Sequence, residues 1–110
     1  MIGNRKEILR GTLDMLILKT LSLAPLHGLG ISRRIEHVTD GVFQVKPGSL
    51  FPSLHRMEQE GWIRGEWGES ENKRKAKFYQ LTESGHRRLG EEERGWSSLV
   101  VTIAKVLEAT

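Results

Sequence analysis

The segment KPGSLFPSLHRMEQEGWI, residues 46–63, combines a helical apolar spacing with prolines that a helix interior disfavours. Proline lacks an N–H donor and is tolerated in the first helical turn, where that donor would have no intrahelical acceptor. Pro52 therefore predicts a helix that begins near Ser49, with Ser49 as its N-cap. The helix is expected to end near Glu60, with Gly61 outside it.

The two faces of this segment differ in polarity. Leu50, Leu54 and Met57 recur at helical spacing, which predicts that this face packs on a core. The other face is expected to point outward and is polar except for Phe51 near the helix start. Its polar members are Ser53, His55, Arg56, Gln59 and Glu60.

The composition is that of a single domain with a modest core. The chain has 110 residues, of which 37% are hydrophobic, and it contains no cysteine that could form a disulfide or a thiolate site. No run is long enough to span a membrane, and the N-terminal residues lack the apolar stretch of a signal peptide, so we expect a cytoplasmic protein. The net charge of +3 favours anionic partners such as nucleic acid.

The order of the periodic segments predicts a winged helix-turn-helix. Helical spacing over residues 8–23 and 30–39 precedes the proline-bearing helix. The period then becomes alternating in residues 63–67 and 77–81, which predicts two strands joined by the polar loop GESENKRKA. We therefore expect a mainly α fold with a small β-hairpin wing.

The final segment, residues 83–110, predicts a long helix with Thr82 as its N-cap. At 1.5 Å per residue the helix would extend for roughly 39 Å, farther than a small domain of residues 1–82 can cover. Its apolar stripe therefore needs a partner, and we expect a second copy of the chain to supply it, which makes this a dimerisation helix. The stripe consists of Leu89, Trp96, Leu99, Val100, Ile103 and Leu107.

The third helix and the basic loop are suited to DNA. The second helix of a helix-turn-helix lies in the major groove and presents residues near its N-terminus to base edges. Arg56 can pair with guanine, and the loop cations can hold phosphates, although a short basic run is also typical of a solvated loop. His55 could equally be a surface residue without a role. The expected DNA-contacting residues are Arg33, Lys46, Ser49, Phe51, Ser53, His55, Arg56, Lys73, Arg74, Lys75 and Lys77.

Four stretches resemble the PadR family of bacterial transcriptional regulators. They are LDMLILKTL, HGLGISRRI, PGSLFPSLHRMEQEGWI and KFYQLTESGHRRL, and the resemblance extends over about residues 9–99. It is closest to the short subfamily, which has a single C-terminal helix. The combination of these stretches is specific, whereas any one of them alone is a weak signal.

The resemblance implies a homodimeric repressor that binds an inverted-repeat operator in double-stranded DNA near its own promoter. It also implies that the first helix, including Leu9, joins the C-terminal helix in the dimer interface. The family usually has threonine-leucine-tyrosine where this chain has Ser49, Leu50 and Phe51. Without the tyrosine hydroxyl, Phe51 either contacts a thymine methyl group or packs within the protein. The family also commonly has a glycine-tyrosine pair in the second helix. This chain has Gly28-Leu29 there, so a second tyrosine hydroxyl is absent.

Trp96 is the candidate ligand-binding residue. Some members of the family place a tryptophan at this point, where two copies enclose a flat aromatic compound, so the resemblance implies a small aromatic effector. The alternative is that Trp96 only packs in the dimer core. Trp62 and Trp67 are expected to pack at the base of the hairpin.

The sequence offers no catalytic or cofactor-binding constellation. No two histidines share a helical face, so we expect no metal site, and neither Ser49 nor Ser53 has a histidine-acid pair that could activate it. We therefore expect no cofactor and no enzyme activity. An alternative to the repressor is a winged-helix module that binds another protein and has no sequence-specific DNA binding.

Overall fold

The described part of the chain folds into helices and a small antiparallel sheet. The structure is a computed structural model that describes the backbone of residues 5–110 and the side chains of residues 12–110. The expected order, helix, helix, helix, strand, strand, helix, is confirmed, with one short additional strand. The elements are α1 (Arg5–Leu23), β1 (Leu26–His27), α2 (Gly28–Val38), α3 (Pro47–Gln59), β2 (Ile63–Glu69), β3 (Lys75–Leu81) and α4 (Glu83–Glu108).

The sheet has the strand order β1-β3-β2 and is antiparallel throughout. The hairpin of β2 and β3 is the predicted wing, and it pairs from Ile63 with Leu81 at its base to Glu69 with Lys75 at its tip. The two-residue strand β1 pairs with the middle of β3 and was not predicted. Two residues are too few to show an alternating pattern in a sequence.

The core lies where α1, α2, α3 and the base of the wing meet. The predicted inward face of α3 is confirmed, because Leu50, Leu54 and Met57 are buried. Burial of side chains of this size contributes about 1.5–3 kcal/mol each, so this face fixes the orientation of the helix. The buried apolar residues are Leu13, Ile17, Leu18, Leu21, Ile31, Ile35, Val45, Leu50, Leu54, Met57, Ile63, Tyr79 and Leu89.

The predicted start of α3 is wrong by two residues. The helix begins at Pro47, its N-cap is Lys46, and Ser49 is therefore inside the first turn instead of capping it. Pro47 has a φ angle preset for the first helical position, and this sets the start. Pro52 consequently lies inside the helix. Its missing N–H leaves the Gly48 carbonyl without a helical donor, which is tolerable because Gly48 is exposed to solvent.

The helix α2 also begins earlier than predicted, at Gly28, because His27 caps it. The Gly30 N–H donates to His27 Nδ1 at 3.0 Å, which satisfies one of the free donors of the first turn. A histidine is an uncommon N-cap, so the sequence pattern gave no sign of it. The ring of His27 also packs edge-on against Phe78, with ring centroids 5.2 Å apart.

Thr82 joins the end of α3, the base of the wing and the start of α4. Its hydroxyl donates to the Gly61 carbonyl at 2.6 Å and accepts from the Gly85 N–H at 3.0 Å, so the predicted N-cap is confirmed. The Thr82 N–H donates to the Trp62 carbonyl at 3.0 Å. Gly85 lies directly against that same carbonyl and leaves no room for a side chain.

The contact between Gly85 and Trp62 predicts opposite effects for two glycine substitutions. Gly85→Ala should lower the free energy of unfolding by about 1–3 kcal/mol, because its Cβ would overlap the Trp62 carbonyl oxygen. Gly48→Ala should raise it by about 0.4–1 kcal/mol, because the site is open and the unfolded chain loses freedom. Urea denaturation of the two variants measures both changes. A Gly85→Ala protein as stable as wild type would contradict this close packing.

Candidate nucleic-acid interface

A groove of about 450 Å³ lies between the wing and the N-terminal parts of α2 and α3. Its walls combine cations with apolar and aromatic side chains. Among the described residues that line it, none is an aspartate or a glutamate. The lining residues are His27, Gly28, Leu29, Arg33, Phe51, Trp67, Ser70, Asn72, Arg74, Lys75, Ala76, Lys77 and Tyr79.

The exposed face of α3 contains some of the predicted contact residues but not all of them. Ser49, Phe51 and His55 are exposed, as expected for an outward face. Ser53 is only 5% exposed, so its predicted place on the outward face is wrong. It follows Leu50 by three positions and precedes Met57 by four, and the geometry of the helix places all three on the same side.

Phe51 both packs within the protein and remains available at the surface. A Cβ added at Gly28 would lie 2.8–2.9 Å from the edge of the Phe51 ring, so the two helices approach closely at this glycine. The ring is nevertheless 48% exposed. The two roles that the sequence left open for Phe51 are therefore compatible with each other.

Arg56 is exposed but has a partner inside the protein. Its Nη2 donates to both carboxylate oxygens of Asp14 at 2.8 Å, which ties α3 to α1. Both bonds come from one nitrogen of the guanidinium, so its remaining N–H donors are left for an external acceptor. No local sequence pattern predicts this pair, because the two residues are 42 positions apart.

The tip of the wing is a tight turn that presents cations to solvent. The Ser70 N–H donates to the Arg74 carbonyl at 2.8 Å, and the Lys73 N–H donates to the Ser70 carbonyl at 2.9 Å. Lys73 has a φ of 57°, a left-handed conformation that favours glycine or asparagine. Lys73, Arg74 and Lys75 are exposed, and Arg33 and Lys46 are exposed on the neighbouring helical side.

Lys77 differs from the other wing cations because it is bonded to α3. Its ammonium donates to Glu58 at 3.0 Å and passes over Gly65, where any Cβ would collide with the lysine side chain. The hydrogen bond to Glu58 raises the pKa of Lys77. The protonated Lys77 therefore stabilises the folded state at neutral pH, and this contribution is lost as the pH rises through the raised pKa. The predicted phosphate contact by Lys77 is therefore in competition with this internal partner.

The predicted position of Trp67 is wrong. It was expected to pack at the base of the hairpin but is 65% exposed on the wing, where Lys75 Nζ lies 5.6 Å from the centre of its ring. Trp62 does lie at the base, partly buried, with the Arg88 guanidinium 4.6 Å from its ring centre. The two tryptophans differ in environment because β2 is buried at its first residue, Ile63, and exposed from Glu66 to its end.

The predicted interface stripe on α4 is exposed except at its first member. Leu89 is 6% exposed and belongs to the core of its own chain, so its assignment to a dimer interface is wrong. The side chain of Leu9, also predicted to contribute to that interface, lies outside the described residues. The exposed apolar members of the stripe are Trp96, Leu99, Val100, Ile103 and Leu107.

Two structural features of the described residues bear on function. No group of three or more histidine, aspartate or glutamate side chains is arranged there to hold a metal ion. No described helix is both long enough and apolar enough to cross a membrane.

Three helices with a hairpin wing beside the third helix define the winged helix-turn-helix class of proteins. Residues 17–91 match the Transcriptional regulator PadR-like family. The chain belongs to this family, which consists of transcriptional regulators and is not a class of enzymes.

Relatives with solved structures share both the fold and the length of the chain. A transcriptional regulator from Clostridium thermocellum superposes with a TM-score of 0.83 at 27% identity, covering 90% of this chain and 96% of its own. A PadR-like transcriptional regulator from Bacillus cereus gives 0.80 at 28% identity, covering 94% and 99%. A PadR family transcriptional regulator from Eggerthella lenta gives 0.79 at 32% identity, covering 94% and 88%.

A relative in sequence comes from Lysinibacillus sphaericus. It is called Uncharacterized protein X and is 30% identical over 104 residues, which cover 94% of this chain and 95% of that one. The likeness therefore includes the long final helix as well as the winged domain.

The ion pair between Asp14 and Arg56 predicts a modest contribution to stability. Asp14→Asn should lower the free energy of unfolding by about 0.5–1 kcal/mol, since both side chains are partly exposed and solvent screens the pair. The difference from wild type should shrink in 1 M salt. Glu91→Gln is the matched control, because its partner Arg88 lies 3.7 Å away in a looser pair on α4. Equal losses for the two variants in urea denaturation would contradict a special role for Asp14.

Proposed function

We propose that the protein is a homodimeric transcriptional repressor that binds an inverted-repeat operator in DNA through α3 and the wing. The observation that carries this proposal is a set of cations around the exposed start of α3. In the described part of the chain, none of them forms an ion pair with a carboxylate of the protein. The set comprises Arg33, Lys46, Lys73, Arg74 and Lys75.

The proposed roles divide between sequence recognition and phosphate binding. Ser49, Phe51, His55 and Arg56 lie on the surface of α3, the helix that enters the major groove in this class of protein. The cations of the wing and of the α2 side would hold phosphates, which position the duplex and produce the salt dependence of binding. Ser53 is withdrawn from the base-contacting group because it is buried.

Promoter binding tests this proposal directly. Fluorescence anisotropy with a duplex from the protein's own promoter, and with a scrambled duplex, should show tight binding to the first that weakens as salt is raised. Arg56→Ala should weaken promoter binding by about 1–3 kcal/mol and affect the scrambled duplex less, because its free donors would contact a base edge. Arg94→Ala, an exposed arginine of α4, is the control.

This experiment tests the role of Arg56 and the function of the protein separately. An equal loss of affinity for both duplexes in Arg56→Ala would assign Arg56 to phosphate binding. Equal and weak binding of the wild-type protein to both duplexes would argue against a repressor. It would then favour the second candidate, a winged-helix module for a protein partner, to which the exposed Phe51 and Trp67 rings are also suited.

Dimerisation through α4 is proposed from its exposed apolar stripe. The helix has 26 residues, but within the described chain its buried residues are Gly85 and Leu89 in the N-terminal turns. The stripe beyond them has no cover from the described residues of its own chain, and self-association is the common way to bury such a face. Two half-sites bound by such a dimer would be centred about 34–36 Å apart or a multiple of that distance.

Two substitutions on opposite faces of α4 test the dimer. Ile103→Glu should weaken dimerisation by about two orders of magnitude or more, because burying an unpaired charge costs several kcal/mol. Val101→Glu should leave the dimer intact, since Val101 lies about 140° from Trp96 around the helix. Sedimentation velocity over a concentration series measures both. A monomeric wild-type protein, or equal effects of both variants, would contradict the proposed interface.

The small aromatic effector remains a separate proposal, supported by the place of Trp96 on the stripe. Trp96 is half exposed in the single chain and would meet its copy across a two-fold axis. A planar aromatic compound enclosed there would change DNA affinity, and Trp96→Ala should remove that response without dissociating the dimer. A response that survives the substitution would place the effector elsewhere.

A further inference from the structure

Two large aromatic rings in the groove are exposed and lie outside the buried core cluster. Trp67 on the wing is 65% exposed and Phe51 on α3 is 48% exposed, and both line the groove between these elements. Tyr79 lies at the buried floor between them. Large aromatic side chains left at a surface mark contact sites more often than chance would place them there.

The direction of Trp67 follows from the alternation of β2. Ile63, Gly65 and Trp67 occupy alternate positions of the strand and therefore point to the same face of the sheet. Ile63 is buried beneath α3, and Gly65 gives passage to the Lys77 side chain. At Trp67 the strand extends beyond the helices. The ring therefore lies on the same face of the sheet as Ile63 but is exposed, with no described helix packed over it.

The cations that line the groove favour an anionic partner. Arg33, Arg74 and Lys75 line the groove, and no carboxylate lines it among the described residues. Lys77 is bonded to Glu58 and serves to hold the wing against α3. The groove therefore offers three available cations together with aromatic surfaces, a combination that suits an anionic chain carrying rings, such as a nucleic-acid strand.

We infer that the groove receives one strand of the operator, with Trp67 packed against a deoxyribose or base and Arg33 and Arg74 at the adjoining phosphates. This inference rests on the proposed DNA binding and makes Trp67 a DNA-contacting residue. Lys75, beside the Trp67 ring, holds a phosphate of the same strand. Phe51 forms the opposite wall and is kept in place by its close contact with Gly28.

The salt dependence of DNA binding separates an aromatic contact from a phosphate contact. Trp67→Ala should weaken binding of the promoter duplex by about tenfold for each half-site, the scale of one lost aromatic stacking contact, without changing the slope of log affinity against log salt. Arg74→Gln should reduce that slope by about 1.8, because the dimer loses one phosphate contact in each half-site and each contact contributes about 0.9. Trp67→Phe, which keeps an aromatic ring, should recover most of the affinity.

The control is Leu23→Ala, which removes an apolar side chain of similar exposure, 63%, that does not line the groove. It should bind DNA as wild type does. DNA should also change the tryptophan emission of the wild-type protein, and this change should be lost in Trp67→Phe. Circular dichroism and sedimentation confirm that each variant remains folded and in the wild-type state of association.

The possible results distinguish a failure of the Trp67 contact from a failure of the proposed DNA binding. If wild type binds the promoter and Trp67→Ala binds it as tightly as Leu23→Ala does, Trp67 is not a DNA contact and only this inference fails. The same holds if Trp67→Ala alters the salt slope as much as Arg74→Gln. If wild type binds neither duplex, the proposed function fails and this inference fails with it.

Discussion

The hydroxyl of Thr82 is the point at which the separate elements become one domain. It bonds the carbonyl that follows α3 and caps α4, while the backbone N–H of the same residue bonds the carbonyl at the start of β2. Apart from this junction, the wing is joined to the helices by the buried side chains of Ile63 and Tyr79 and by the bond between Lys77 and Glu58. Gly85 completes the junction, because α4 can approach the Trp62 carbonyl only where a side chain is absent.

The elements predicted correctly from the sequence are those whose signals are local. The inward face of α3, the cap of α4 by Thr82 and the hairpin each depend on spacing or on one polar residue beside a helix start. The predicted start at Ser49 is too late because α3 begins at Pro47 and also accommodates Pro52 in its interior, where the freed carbonyl of Gly48 is exposed. Ser53 is polar, which predicts an outward position, but its helical spacing from Leu50 and Met57 places it on the buried side.

The features that escaped prediction depend on residues far apart in the chain. The pairs of Arg56 with Asp14 and of Lys77 with Glu58 give partners inside the protein to two cations that the sequence assigns to DNA. Nothing in a local pattern distinguishes a lysine bonded to an acid on another element from one left free at a turn. The exposure of Trp67 likewise depends on where the helices stop covering the sheet, which is a property of the assembled domain.

The ion pair of Lys77 with Glu58 also has a mechanical consequence. It joins the two walls of the groove at a point where Gly65 lets them approach closely, so the width of the groove is set before any partner arrives. An operator with one strand in this groove, as proposed, would have to adjust its own shape, and sequences differ in the energy that bending or twisting requires. Base pairs that no side chain touches would then influence affinity through their stiffness.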